Sequence, residues 1–236
     1  MNHAVTHPPE KPAALLPAQE RGALARQQLI LHATHFFSSK GFAGASTREI
    51  CAAAGVNLAA IRYYFGNKEG LYRATLTEPI HFIAEQLGNF DDPALPFPQA
   101  IRQVLTPLLD LTQKDAYEQQ VTRLHVRETL EPSDIFREVV TTHILPLHNA
   151  LAALLARHCD LPEPDTDIHQ LAFAIVALAN DYCISREYMK LLAPEVLDRP
   201  DAEAIIQDRM VDFSVAMLEC ERQRRRTPPP PQGDCT

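Results

Sequence analysis

Residues 33–72 read ATHFFSSKGFAGASTREICAAAGVNLAAIRYYFGNKEGLY, and their punctuation decides the fold. Apolar residues recur three and four apart, the spacing that gathers them on one face of a helix. A first helix runs from about Gly22 to Ser39 with Leu29, Ile30, Ala33, Phe36 and Phe37 as its stripe, and Gly41 is placed to end it in a left-handed conformation. Ser46-Thr47-Arg48-Glu49 has the form of a capping box, Ser46 at the N-cap and Glu49 reaching back. The short helix it opens ends near Ala54, and Gly55 supplies the turn. Asn57 caps a second short helix, Leu58 to Tyr64, with Ile61 and Phe65 inward. Gly66-Asn67 breaks the chain again, and Lys68 begins a long helix through Tyr72, Leu76, Ile80, Ile83 and Leu87. Two short helices joined by a glycine-containing turn predict a helix-turn-helix, whose second helix enters the DNA major groove.

Outward from this segment the pattern stays helical. The 236 residues are 46% hydrophobic and 22% charged, which supplies a sizeable core and excludes a wholly disordered chain. No period-2 alternation and no Asn-Gly or Asp-Gly hairpin signal is present, so the fold class is all-α. Helices are expected at about Gln99–Lys114, Glu118–Leu130, Ser133–Cys159, Asp167–Leu192 and Asp201–Arg226, with kinks at Pro107 and Pro146. A proline-rich loop, Asp91 to Pro98, separates the fourth helix from these. The expected organisation is a disordered tail at 1–20, a helix-turn-helix DNA-binding domain at 21–66, a larger helical domain at 67–226, and a disordered proline-rich tail at 227–236.

Charge is distributed unevenly. The whole chain carries −8, yet the segment Arg21 to Arg73 holds seven basic residues against Glu49 and Glu69, leaving it at +5 and the remainder at −13. A small basic unit joined to a large acidic one suits a polyanion partner for the first part only. The longest uninterrupted apolar run, Leu171 to Ala179, falls short of a bilayer span, and Met1 to Pro17 lacks the apolar stretch of a signal peptide. A cytoplasmic chain with no membrane partner is expected. Five scattered cysteines without a C-x-x-C pair read as reduced thiols.

The stretch quoted above closely resembles the DNA-binding domain of the TetR family of transcriptional regulators. The matching features are Phe36/Phe37 before Lys40-Gly41, then Thr47, Ile50, Ala53-Ala54-Gly55-Val56, and Tyr64-Phe65 ahead of Asn67-Lys68-Glu69-Gly70-Leu71. The segment 127–133, Arg127-Glu128-Thr129-Leu130-Glu131-Pro132-Ser133, resembles a subgroup linked to drug or toxicant efflux. The resemblance implies a homodimer that binds a partly palindromic operator in double-stranded DNA and represses transcription until a small-molecule effector enters the larger domain. By the family pattern Thr47, Tyr63 and Lys68 grip phosphates, which gives register more than sequence choice. Arg48 would read guanine and Asn57 adenine, while Leu58, Ala59 and Ala60 have only apolar contact with thymine methyls to offer. Arg62 stands where a tyrosine is commoner in the family and adds attraction for phosphate. Lys68 could instead be a solvated lysine, and Arg48 could pair with a neighbouring acid.

In the larger domain, helical phase nominates Phe82, Leu105, Leu109, Leu124, Phe136, His143 and Phe173 as apolar lining of an effector cavity, with His125, Arg127, Glu128 and Asn180 as polar orienters. Such a pocket suits an apolar or aromatic effector. Arg127 and Glu128 could instead form an ion pair, and the apolar residues ordinary core. The helix Ile168 to Ile184 is apolar nearly all round, which calls for burial on two sides. Ile175, Leu178 and Tyr182, with Ile206, Met210, Phe213 and Met217 of the last helix, are therefore expected in a four-helix dimer interface. His125, His143, His148, His158 and His169 lack zinc-ligand spacing, so no metal and no cofactor is expected. Alternative classes are a helix-turn-helix DNA-processing enzyme and a helical small-molecule carrier. No Gly-x-Ser-x-Gly, P-loop or His-Glu-x-x-His motif supports catalysis, so no enzyme is expected.

Overall fold

The computed structural model describes residues 17–109 and 116–226. These residues form helices α1 (Ala18–Gly44), α2 (Thr47–Ala53), α3 (Ala59–Phe65), α4 (Lys68–Gln86), α5 (Phe97–Leu108), α6 (Ala116–Leu130), α7 (Asp134–His158), α8 (Thr166–Ile184), α9 (Arg186–Leu192), α10 (Glu195–Asp198) and α11 (Ala202–Arg226). Among the described residues there is no strand. One compact unit ends at Thr75 and a second begins at Leu76.

The first unit packs α1, α2, α3 and the first turns of α4 around Leu29, Ala33, Phe37, Ile50, Leu71 and Tyr72, all at most 1% exposed. Phe37 meets the edge of Tyr72 at 4.7 Å between ring centres, and Phe42 lies 5.0 Å from the same tyrosine, so three aromatics tie α1 to α4. Buried side chains of this size each stabilise by about 1.5–3 kcal/mol relative to exposure. Helix α1 begins at Ala18, earlier than expected, so residues 18–20 are not tail. The proposed tails at 1–16 and 227–236 lie outside the described residues. Gly41 breaks α1 with φ 71°, but its ψ of 173° is extended, and one further turn follows before Ala45.

The second unit buries Ile101 and Leu105 of α5, Leu151 and Leu155 of α7, Ile168 and Ile175 of α8, and Ile206 and Met210 of α11 in one core. Pro146 acts as expected, in a specific way. The helix widens into a π turn over Val140–Ile144, where the Leu145 amide donates to the Val140 carbonyl. The proline ring has no N–H and crowds the preceding turn, and the wider turn accommodates both. The expected single helix over Asp167–Leu192 is corrected: α8 stops at Ile184, and α9 leaves at 75°. Ser185 sits at the corner with its hydroxyl donating to the Asp181 carboxylate at 2.6 Å. The α5 helix ends at Leu108, short of the expected Lys114, which lies outside the described residues. By length and composition α7 could cross a membrane, as could α8 and α9 taken as one bent span. Uninterrupted runs hide this because His143, Pro146 and His148 divide α7. Leu151, Leu154 and Leu155 of α7 and Ile168, Leu171 and Ile175 of α8 nevertheless lie in the protein core.

Candidate nucleic-acid interface

The turn between α2 and α3 is built by backbone geometry. Gly55 has φ 67°, a conformation that costs a side-chain-bearing residue about 1 kcal/mol or more. Its amide donates to the Ala52 carbonyl and the Val56 amide to Cys51, the paired bonds of a Schellman C-cap. Asn57 then accepts from the Ala60 amide through Oδ1 at 3.1 Å, capping α3. Asn67 repeats the device for α4, accepting from Gly70 at 2.8 Å. The capping box at Ser46 is only half realised. Ser46 makes no side-chain cap bond, and Glu49 pairs with Lys40 at 2.9 Å. That pairing, with a lesser pull from the Ser46 backbone, holds the Glu49 carboxyl below its usual range.

These caps fix one exposed face. Arg48, Asn57, Leu58, Ala59, Arg62 and Tyr63 are exposed, and Thr47, Ala60 and Lys68 are half-buried beside them. Leu58 is 50% exposed and Tyr63 81%. Ile61 faces inward at 4%. Because Lys40 takes Glu49, Arg48 has no acidic partner among the described residues. Lys68 is not a freely solvated lysine: its ammonium lies 4.6 Å from the centre of the Phe42 ring. Arg26 likewise covers the Phe65 ring at 5.5 Å. The face therefore offers three cations (Arg48, Arg62 and Lys68), an outward phenol and helix N-termini, all attractive to phosphate, around short apolar side chains that allow close approach.

Among the described residues of the second unit, the nominated effector residues divide between packed core and surface. Leu105, Leu109 and Leu124 are at most 2% exposed and Phe136 is 8% exposed, packed core in this conformation. Phe82 and Phe173 are exposed, as are Arg127 and Asn180. His125 and Phe136 do come together, ring centres 6.5 Å apart, and His125 Nε2 reaches the Leu76 carbonyl of α4 at 3.2 Å. Glu128 is buried, and in place of a pairing with Arg127 its Oε2 accepts from the Ser133 hydroxyl at 2.7 Å and amide at 3.0 Å. A shallow groove of about 270 Å³ lies elsewhere, along Pro200, Asp201, Glu203, Ala204 and Gln207.

Histidine pairs were missed by the sequence reading. His81 meets His143 at 3.1 Å, and His148 meets His169 at 2.9 Å while stacking on Phe173 at 4.5 Å. Each pair joins separate helices, and no local spacing signals such a meeting. The nominated dimer residues also divide. Ile175, Ile206 and Met210 are at most 3% exposed within a single chain and belong to its own core, a correction that follows from helical phase. Phe213 is 39% exposed, and Leu178, Tyr182 and Met217 are half-buried.

Residues 29–75 match the model of bacterial regulatory proteins of the tetR family. Residues 98–219, more than half of the chain, match the C-terminal domain of the HTH-type transcriptional dual regulator CecR. Over 158 residues the chain is 35% identical to the HTH-type transcriptional dual regulator CecR of Shigella flexneri, covering 62% of this chain and 70% of that protein. The chain belongs to the tetR family. The HTH-type transcriptional repressor AcnR of Corynebacterium glutamicum is 25% identical over 151 residues, covering 64% of this chain and 74% of that one. Among solved structures, a transcriptional regulator from Pseudomonas aeruginosa PAO1 superposes with a TM-score of 0.62 at 18% identity, over 90% of this chain and 97% of that one. AibR, solved with isovaleryl coenzyme A and operator DNA, superposes with a TM-score of 0.56 at 18% identity, over 80% and 97%. This tetR-family chain is a DNA-binding transcriptional regulator and not an enzyme, as its relatives are.

Proposed function

We propose that this regulator is a cytoplasmic homodimeric repressor, without a membrane partner, that occupies a two-part operator and leaves it when a small apolar or aromatic effector binds the larger domain. The exposed face from Arg48 to Lys68 carries the DNA reading. Thr47, Arg62, Tyr63 and Lys68 engage phosphates, Arg48 and Asn57 read base edges, and Leu58, Ala59 and Ala60 lie against thymine methyls. The side chain of Asn57 already accepts a backbone amide, so its spare NH₂ group is what remains for DNA.

The effector site centres on His125 and Phe136, where α6, α7 and α4 converge, with Leu124 as its floor. His125 is bonded to α4 at Leu76, and α4 begins at Lys68. An effector that displaced this bond would act on the same helix that carries a phosphate contact. The controlled genes serve export of drugs or toxicants, a reading that rests on the 127–133 segment. Two copies are needed because two recognition helices reach successive major grooves only when held about 34 Å apart.

The CecR relative is named a dual regulator, which favours activation at some promoters as a second reading. Selection of bound genomic fragments, followed by transcription from each in vitro, tests both. Protection of two half-sites with reduced transcript, relieved by a hydrophobic drug panel or an acyl-coenzyme A, is the expected result. Transcript that rises with bound protein would replace repression by activation. Protection of a single half-site would overturn the two-copy reading.

A further inference from the structure

Helix α9 turns its apolar stripe outward. Tyr188, Leu191 and Leu192 stand three and four residues apart, on one face, and are 65%, 83% and 69% exposed. Ile184, one turn earlier at the end of α8, is 57% exposed, and Val196 of α10 is 36% exposed. A helix packed on its own domain normally turns such a stripe inward. At the 75° corner the Ser185 hydroxyl donates to the Asp181 carboxylate at 2.6 Å, and within the helix Lys190 pairs with Glu187 at 2.7 Å on the polar side.

We infer that α9 and α10 form an arm that packs onto a second copy of this chain, an inference that rests on the homodimer reading above. The stripe leaves several hundred Å² of apolar surface open, comparable to the largest patch ordinarily found on a monomer, about 300–600 Å². Two-fold symmetry doubles it to a substantial part of the roughly 1,600 Å² of a standard interface. The stripe also prolongs α8, where Leu178 and Tyr182 remain half-buried in one chain. Charge favours a protein occupant. Between residues 184 and 198 Arg186 and Lys190 face Glu187, Glu195 and Asp198, so the arm lacks the basic excess of helices that lie on anionic membranes.

Sedimentation equilibrium of the full chain tests this with a Leu191→Glu/Leu192→Glu variant, Tyr188→Ala, and Lys190→Ala as a polar-side control. The double variant is expected to raise the dimer dissociation constant at least tenfold with unchanged helical circular dichroism. Tyr188→Ala should move it in the same direction, and Lys190→Ala should leave it within twofold. The altered side chains are solvent-exposed in one chain, so folding survives. A dimeric wild type whose double variant dimerises equally well overturns the arm alone. A monomeric wild type overturns the homodimer reading with it. Binding of the wild type to phosphatidylcholine vesicles, lost in a double variant that remains dimeric, assigns the stripe to lipid and also overturns the arm.

Discussion

The Lys68 ammonium rests 4.6 Å from the centre of the Phe42 ring, at the first turn of α4. A cation on an exposed ring face gains about 0.5–1 kcal/mol, less than a charge-assisted bond to phosphate. The ring thus keeps the charge beside the DNA-facing surface without competing strongly for it. Lys68→Ala should lower affinity for operator and random duplex by the same factor. It should also reduce the log–log salt slope by about 0.9, the loss of one phosphate contact. Fluorescence anisotropy over a salt series measures both, and a loss confined to the operator would place Lys68 among the base readers.

Arg48 behaves differently because Lys40 occupies Glu49. Its guanidinium is available for a bidentate contact with guanine. Arg48→Ala is expected to cost about 1–3 kcal/mol against the preferred base pair and little against its substitutes. Competition among operators altered at single positions would show flattened preference at one pair in each half-site. Equal losses on every operator would make Arg48 a phosphate contact.

Asp165 both caps α8, accepting from the Ile168 amide at 3.0 Å, and binds Arg225 at 2.7 Å and 3.0 Å. The Arg225 pairing, more than the amide, brings its carboxyl down to about 2. A depressed folded value means the contribution is complete above the unfolded value near 3.8 and disappears as pH falls through 2. Discounted for solvent screening at a half-exposed carboxylate, it is worth about 1 kcal/mol. In urea titrations Asp165→Asn should lose about that much at pH 6, with the gap to wild type closing toward pH 2. Asp165→Ala loses the cap too, about 1 kcal/mol more. A gap independent of pH would show that the ion pair contributes nothing.

Burial, with His169 as a secondary cause, lowers the His148 value below that of a free histidine. The folded state therefore favours neutral His148, and stability is held above the ordinary value near 6.5 and lost as pH falls below it. Thermal melts should show the transition temperature falling from pH 7 to pH 5. His148→Gln should flatten that fall, and an unchanged pH profile in this variant would remove His148 from the account.

Residue chemistry explains how much could be read in advance. The α2–α3 turn was legible because Gly55, Asn57 and Asn67 act on their own neighbours in the chain, through backbone sign and short side-chain bonds. Glu49 was half misread because its partner, Lys40, lies in another helix and outcompetes the local cap. The bend at Ser185 left no trace, since helical spacing runs across it from Ile184 to Tyr188, Leu191 and Leu192. The effector set was the least legible part. Periodicity marks Leu105 and Phe173 alike as apolar, but only packing tells that one is enclosed and the other lies on the surface. The meetings of His81 with His143 and of His148 with His169 depend on tertiary contact alone.

The π turn over Val140–Ile144 inserts one residue's worth of rotation, about 100°, between Phe136 and Val139 upstream and Leu151, Leu154 and Leu155 downstream. Deleting a single residue there would swing the leucine trio off the core and return the Pro146 ring, which has no N–H to donate, to a turn that crowds it. The wide turn thus lets one helix carry both a proline and a core-facing leucine trio, and a frame-preserving one-codon deletion would leave a domain that no longer closes.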